Sequence, residues 1–208
     1  MSDAPRQVGV VLFDGFELLD VFGPLEILGV LPSHFQLNLI GPAVGPVRSA
    51  QGPQVVAGYS YGTAPHSDIA LIPGGIGTRT LVNDTTFIGW LGRWASQVGL
   101  VSSVCTGSGL LAAAGLLDGY RATSNKRSFT WATEQSALVD WVATARWVED
   151  RDRWTSSGVA AGMDMTLALV AHFLGEALAT KVAEGIELEW HRVPSWDPFA
   201  ALNGLAPT

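Results

Sequence analysis

Cys105 is the only cysteine in 208 residues, and its neighbours prepare it for chemistry. The largely apolar run LVSSV precedes it and TGSGLLAAAGLL follows, so a buried strand passes through one reactive residue into a helix opened by Thr106, Gly107 and Ser108. That order is a nucleophile elbow, in which small neighbours let the chain turn sharply. There the thiol lies over the first turn of a helix, whose free N–H groups favour a thiolate, so a lowered pKa is expected without a histidine partner. The competing reading is an inert buried cysteine, since cysteine often serves as a small apolar side chain.

Two other stretches carry groups suited to the same chemistry. Pro73, Gly74 and Gly75 follow the apolar run at residues 68–72. Glycines there accept positive φ and let N–H groups approach a substrate, which makes Gly74 and Gly75 candidate binding residues. The N–H groups of Gly75 and Thr106 could act as an oxyanion hole; a plain tight turn is the alternative. For proton transfer, LFDGFELLDVFGP offers Asp14, Glu17 and Asp20. Glu17 and Asp20 are three residues apart and share a helix face. Asp20 sits between apolar neighbours; buried and unpaired there, it would have a raised pKa and donate a proton near neutrality. Asp14 and Glu17 fit better as charges complementing a helix N-terminus. His34, His66, His172 and His191 belong to no dyad motif, and each reads as structural or solvated, which weakens a Cys-His hydrolase.

The elements that position these residues follow from hydrophobic patterning. Residues 8–13 form a continuous apolar, β-rich run ended by Asp-Gly, as in a strand buried on both faces. A broad apolar helix spans residues 17–28, with Gly23-Pro24 as its expected kink. HFQLNLIGP, Val47-Arg48 and residues 55–57 read as short strands, residues 68–72 and 100–104 as buried strands, and residues 85–98 as a helix. A hairpin is expected around residues 150–152, then helices at 160–173 and 176–189, with the Pro-rich tail wrapping the surface. Alternating strands and helices imply crossovers and a mainly parallel sheet. The fold class is therefore α/β: a three-layer α/β/α sandwich, flavodoxin-like, with Cys105 at the carboxyl end of a strand, where such sheets bind ligands.

Composition narrows the function classes. With 48% hydrophobic and 15% charged residues, the chain suits one domain over residues 1–208 with a large core. Twelve basic residues are scattered among 19 acids, a net charge of −7, which argues against nucleic acid as a partner. One cysteine makes no internal disulfide and no thiolate metal cage, so a reducing, cytoplasmic setting is expected, and no metal. The N-terminus lacks a signal-peptide pattern, and no membrane span is expected.

The motifs LLDVFGPLEIL, IPGG, SVCTGSGLLAAAGLLDGYRAT and SSGVAAGMDMTLAL, in that order over residues 18–169, resemble those of the PfpI/ThiJ superfamily, and within it the isocyanide hydratases. Two details favour that branch: Thr106 follows Cys105 where protease-like members have histidine, and Asp20 stands where many members have glutamate. The resemblance implies Cys105 as nucleophile, Asp20 as general acid/base, Thr106 as the neighbour orienting the site, and Gly75 with Thr106 as N–H donors. It implies hydration of a small-molecule isocyanide to a formamide without a cofactor, by a homodimer. A pocket lined by Phe and Trp would suit such a substrate. Related hydratases usually carry a histidine-aromatic pair where this chain has Asn125 and Lys126; Asn125 can hydrogen-bond but cannot titrate, so a proton relay through it is not expected, and a turn-forming asparagine is its structural alternative. The rival readings are glyoxalase- or deglycase-like chemistry on reactive carbonyls and a cysteine redox or ligand sensor. The helix-turn-helix region that many related regulators carry has no expected place before Thr208.

Overall fold

The computed structural model describes residues 4–205; the ends of the expected 1–208 domain lie outside the described residues. In chain order, β1 (Arg6–Val11) leads through α1 (Leu18–Gly29) to β2 (Phe35–Gly41), followed by the short strands β3 (Gly45–Arg48), β4 (Gln54–Ala57) and β5 (Tyr59–Ser60). β6 (Ile69–Ile72) leads through α2 (Thr78–Leu81) and α3 (Thr85–Ala95) to β7 (Leu100–Val104), which enters α4 (Gly107–Ala113). Next come β8 (Arg121–Ala122), α5 (Phe129–Thr133), β9 (Asp140–Trp141) and the hairpin β10 (Trp147–Asp150) and β11 (Arg153–Ser156). Helices α6 (Ala161–Leu174), α7 (Glu176–Gly185) and α8 (Pro198–Leu202) complete the order.

The central sheet runs β10-β11-β7-β6-β1-β2-β5, and every neighbouring pair is parallel except the β10–β11 hairpin. All residues of β6 and β7 are buried, as strands covered on both faces require. The crossover from β1 to β2 moves one way across the sheet and that from β6 to β7 the other, so the right-handed rule puts α1 and α3 on opposite faces. On one face α1 packs on α6 and α6 on α7; on the other α4 packs with α2 and α3. The result is the expected three-layer α/β/α sandwich.

Some boundaries differ from the sequence expectation. α3 ends at Ala95 rather than residue 98, and α7 at Gly185 rather than 189, where Glu187 adopts a left-handed φ of 52° that a helix cannot contain. β3 and β4 pair with each other outside the main sheet. α1 runs through Gly23-Pro24: a Cβ on Gly23 would stand 2.7 Å from Met163 Cγ, so the glycine lets α1 and α6 approach closely.

The topology fixes where a site forms. Strand order reverses at β1, which has β2 on one side and β6 on the other, opening a crevice at the carboxyl ends of β1 and β6. The segments leaving β1, β6, β7 and β11 all start from that edge. They carry Asp20, Gly74, Cys105 and Gly158 respectively.

Candidate active site

Cys105 directly follows β7 and has φ 59°, a left-handed conformation that costs a side chain other than glycine on the order of 1–3 kcal/mol. The surrounding backbone holds it there: its N–H bonds the carbonyls of Ser156 and Ser157, both at 3.2 Å, at the end of β11. Gly107 makes the turn possible, since a Cβ there would run into the carbonyl oxygens of Ile72 and Pro73. The expected elbow is present, and the thiol is 6% exposed.

Asp20, in the first turn of α1, is fully buried. Its Oδ2 accepts the Gly74 N–H at 2.8 Å, while Oδ1 has no hydrogen-bond partner. Gly74 is tightly enclosed: a Cβ there would lie 2.5 Å from Thr106 N and 2.9 Å from Cys105 Cβ. The loop after β6 thus clamps the carboxyl group of α1 against the elbow. Burial pushes the Asp20 pKa up to about 8, opposed by the Gly74 N–H and aided by the negative charge of Glu17; the nearby Cys105 thiol lowers it slightly.

The thiol is pushed up too, first by burial and second by the charge of Asp20. This corrects the expectation of a lowered thiol pKa. α4 has only seven residues, and the free N–H groups of its first turn do not outweigh the loss of water. Three groups favour the thiolate against that trend: the Thr106 N–H, the Asn125 amide and the Thr106 hydroxyl. The two buried acids therefore titrate as a pair: Asp20 gives up its proton before the thiol does, and the thiolate forms when the remaining proton passes from sulfur to the carboxyl group.

The structure brings most of the expected residues together. Thr106 Oγ1 accepts the Gly75 N–H at 3.1 Å and lies 3.2 Å from the Thr78 hydroxyl, whose shorter bond is to the Gly75 carbonyl at 2.8 Å; the Thr106 proton is shared between that carbonyl, at 3.5 Å, and the sulfur. Gly75, at φ 124°, is consequently not a free oxyanion donor: its N–H is spent on Thr106. Asn125 Oδ1 accepts the Ser128 N–H at 3.2 Å, which turns Nδ2 toward Cys105. Its cap role and its site role are one arrangement. Lys126 instead donates to Thr123 Oγ1 at 2.8 Å and to the Ala145 carbonyl, bracing the frame behind the site.

Of the other carboxylates, Glu17 enters the site and Asp14 does not; Asp14 accepts the Arg48 N–H at 3.2 Å on the exposed side. None of the four histidines lines the cavity over Cys105. His172 packs on Trp154 and faces Glu149, and His191 stacks on Trp196. Among the described residues, no three His, Cys, Asp or Glu side chains gather where they could hold a metal ion.

Sequence reasoning missed Gly158, Thr78, Arg79 and Arg127, the last of which lines the cavity. Gly158, after β11, would place a Cβ against Asn125 Nδ2 and 3.1 Å from Cys105 Sγ. Thr78 supports Thr106 across the crevice. Arg79 lines the cavity, donates Nη2 to Ser128 Oγ at 2.8 Å and stacks 3.6 Å above Trp131. The PGGIGTRTL loop held a signal for Thr78 and Arg79, since its polar residues follow directly on the glycine turn.

The cavity over Cys105, about 300 Å³, is walled by Glu17, Arg79, Asn125, Arg127 and Ser128, with Ile76 and Val159 as its apolar side chains. This corrects the expected Phe/Trp pocket: no Phe or Trp lines this cavity, and Trp131 lies behind Arg79. A second chamber of about 440 Å³ shares Asn125, Arg127 and Val159 with it and is bounded by Phe199 and Leu202 of α8.

An elbow cysteine beside a buried carboxyl group at a strand-order reversal is an arrangement with known relatives. Residues 6–172 match the DJ-1/PfpI family. The chain belongs to the DJ-1/PfpI family. A similar family protein is the isonitrile hydratase of Pseudomonas putida, 34% identical over 193 residues, covering 92% of this chain and 81% of that protein. Regulators share the family's domain: the HTH-type transcriptional regulator GbdR of Pseudomonas aeruginosa is 31% identical over 190 residues, and the match spans half its length. Among solved structures, a ThiJ/PfpI family protein from Pseudomonas syringae superposes with a TM-score of 0.81 at 28% identity, over 89% of this chain and 76% of that one. In this DJ-1/PfpI chain Cys105, Thr106 and Gly75 line the cavity together, and Asn125, Arg79 and Arg127 add polar groups to its wall.

Proposed function

We propose that the protein is an isocyanide hydratase, converting R–N≡C and water into an N-substituted formamide. The observation that carries this reading is the buried Cys105–Asp20 pair, with Asp20 held by the Gly74 N–H and raised to about 8. The likeness to isonitrile hydratase supports it.

The chemistry follows from that pair. With one proton shared between them, Cys105 attacks the terminal isocyanide carbon as thiolate, forming the C–S bond, and Asp20 delivers its proton to that carbon to give a thioimidate. Asp20, now a carboxylate, takes a proton from water as the water oxygen bonds to carbon, and passes it to nitrogen. The resulting hydroxyl returns its proton to Asp20 as the C–S bond breaks, expelling Cys105 and releasing the formamide. Thr106 and Asn125 support the sulfur whenever it carries charge. No step draws on a cofactor. A homodimer in the cytoplasm is part of the same reading, and Leu19 and Phe22, 40% and 45% exposed on α1, offer an apolar surface for it.

The test is formamide production from para-nitrophenyl isocyanide followed by absorbance. Wild type turns over; Cys105→Ala abolishes turnover, and Asp20→Asn lowers it by at least about a hundredfold, the usual reach of a positioned acid. Absence of turnover by reduced wild-type protein sinks the reading. The likeness to GbdR then favours a ligand-sensing role.

A further inference from the structure

The cavity wall carries a charge that the hydration chemistry does not use. On a chain with 12 basic and 19 acidic residues, Arg79 and Arg127 both line the cavity over Cys105, with Glu17 as the carboxylate among its lining residues. Glu17 is already engaged, its Oε1 accepting the Gln51 amide at 2.5 Å.

Arg79 is held in place rather than floating. Ser128 takes Nη2, Trp131 takes the guanidinium face, and Nη1 has no hydrogen-bond partner although it is buried. Buried donors without partners call for an explanation. Arg79 is close enough to Cys105 for a thiolate to act on its charge. Seven consecutive residues organise this wall: Asn125 approaches the sulfur, Arg127 and Ser128 line the cavity, and Trp131 supports Arg79. An arginine whose plane is fixed by Ser128 and Trp131 presents its charge to the cavity in one orientation, which suits a planar carboxylate.

We infer that the cavity selects isocyanides carrying a carboxylate near the isocyano group, with Arg79 as the principal anion-binding residue and Arg127 as its exposed companion. This rests on the proposed hydratase reading for the reaction but not for the anion subsite. A carboxylate paired with Arg79 lies on the open side of the cavity, leaving the isocyano carbon to reach Cys105 at the floor.

The experiment compares isocyanoacetate with its uncharged methyl ester as substrates, and N-formylglycine with N-formylglycine methyl ester in calorimetric binding. In wild type, kcat/KM for the carboxylate exceeds that for the ester by about tenfold or more, the gain expected from a hydrogen bond to a charged group. Arg79→Gln brings that ratio toward one, Arg79→Lys keeps part of it, and Arg127→Gln lowers it less. Should Arg79→Gln fail to fold, Arg79→Lys and Arg127→Gln carry the comparison. Turnover of both isocyanides at similar rates overturns the subsite and leaves the hydratase standing. No turnover, with N-formylglycine still bound more tightly than its ester and the preference lost in the Arg79 variants, retains the subsite and removes the hydratase. If neither formyl compound binds and neither isocyanide reacts, both fall.

Discussion

At the scale of single residues, the site depends on two acids that burial keeps protonated. Asp20, at about 8 in the fold against 3.8 ordinarily, binds its proton more tightly in the native state than in the unfolded chain. The stability this contributes is whole below 3.8 and is lost as the pH rises through about 8. Asp20→Asn keeps an acceptor for Gly74 and removes that dependence: in urea titrations it outlasts wild type at alkaline pH, and the gap closes toward acid. In rate measurements the sign is opposite. In the proposed reaction the reactive form of the pair has lost one proton, so kcat/KM is expected to rise with pH through about 8, and a flat profile over roughly pH 6 to 9 contradicts the proposal. Gly158→Ala tests the position of Asn125. Its methyl group would displace the amide from Cys105, and loss of that hydrogen bond to a charged sulfur lowers kcat/KM about tenfold or more while the melting temperature changes little.

At the scale of elements, the elbow works because β7 and β11 hold Cys105 from behind and α4 departs at once in front. Gly107 is the residue on which that departure turns. A methyl group there meets two backbone carbonyl oxygens, and backbone cannot move aside as a flexible side chain can. Gly107→Ala is therefore expected to cost about 2–3 kcal/mol in urea unfolding and to lower Cys105 reactivity with iodoacetamide. The short turn from Asn125 into α5 serves two functions, since the cap that starts it also aims Nδ2 at the thiol. Helix formation and sulfur stabilisation are coupled at that point.

At the scale of the whole molecule, the tail is tied to the sheet by one buried acid. Asp164 of α6 receives Arg146 on Oδ2 at 2.6 Å and the His191 N–H on Oδ1 at 2.9 Å, and Arg146 N–H bonds the Pro194 carbonyl. That tie holds α8 over the chamber beside the active site. Asp164→Ala leaves Arg146 buried with its main partner gone and is expected to cost about 3 kcal/mol, read from urea midpoints. The same variant frees residues 191–205 to faster hydrogen exchange than α6, because their backbone bonds to residues 144, 146 and 147 lose their anchor.

The sequence alone determined the parallel sheet and the elbow and pointed to Cys105 and Asp20 as the proposed reacting pair, because each depends on local pattern: apolar runs of strand length, small residues after one cysteine, and an acid set among apolar neighbours. The β10–β11 hairpin and α6 were equally legible. Only the tertiary structure decided the direction of the thiol pKa, because desolvation is a sum over everything packed around the sulfur. It also assigned the Gly75 N–H to Thr106 and brought Gly158 to the site from one segment and Thr78 and Arg79 from another. Gly158 has an ordinary local context and Thr78 and Arg79 only the hint of a preceding glycine turn, so their importance arises from the order in which the strands lie side by side. The pocket was misjudged as aromatic for the same reason. Composition counts tryptophans and phenylalanines, but the fold puts many of them in the core, none on this cavity, and sets Arg79 and Arg127 around the opening above Cys105.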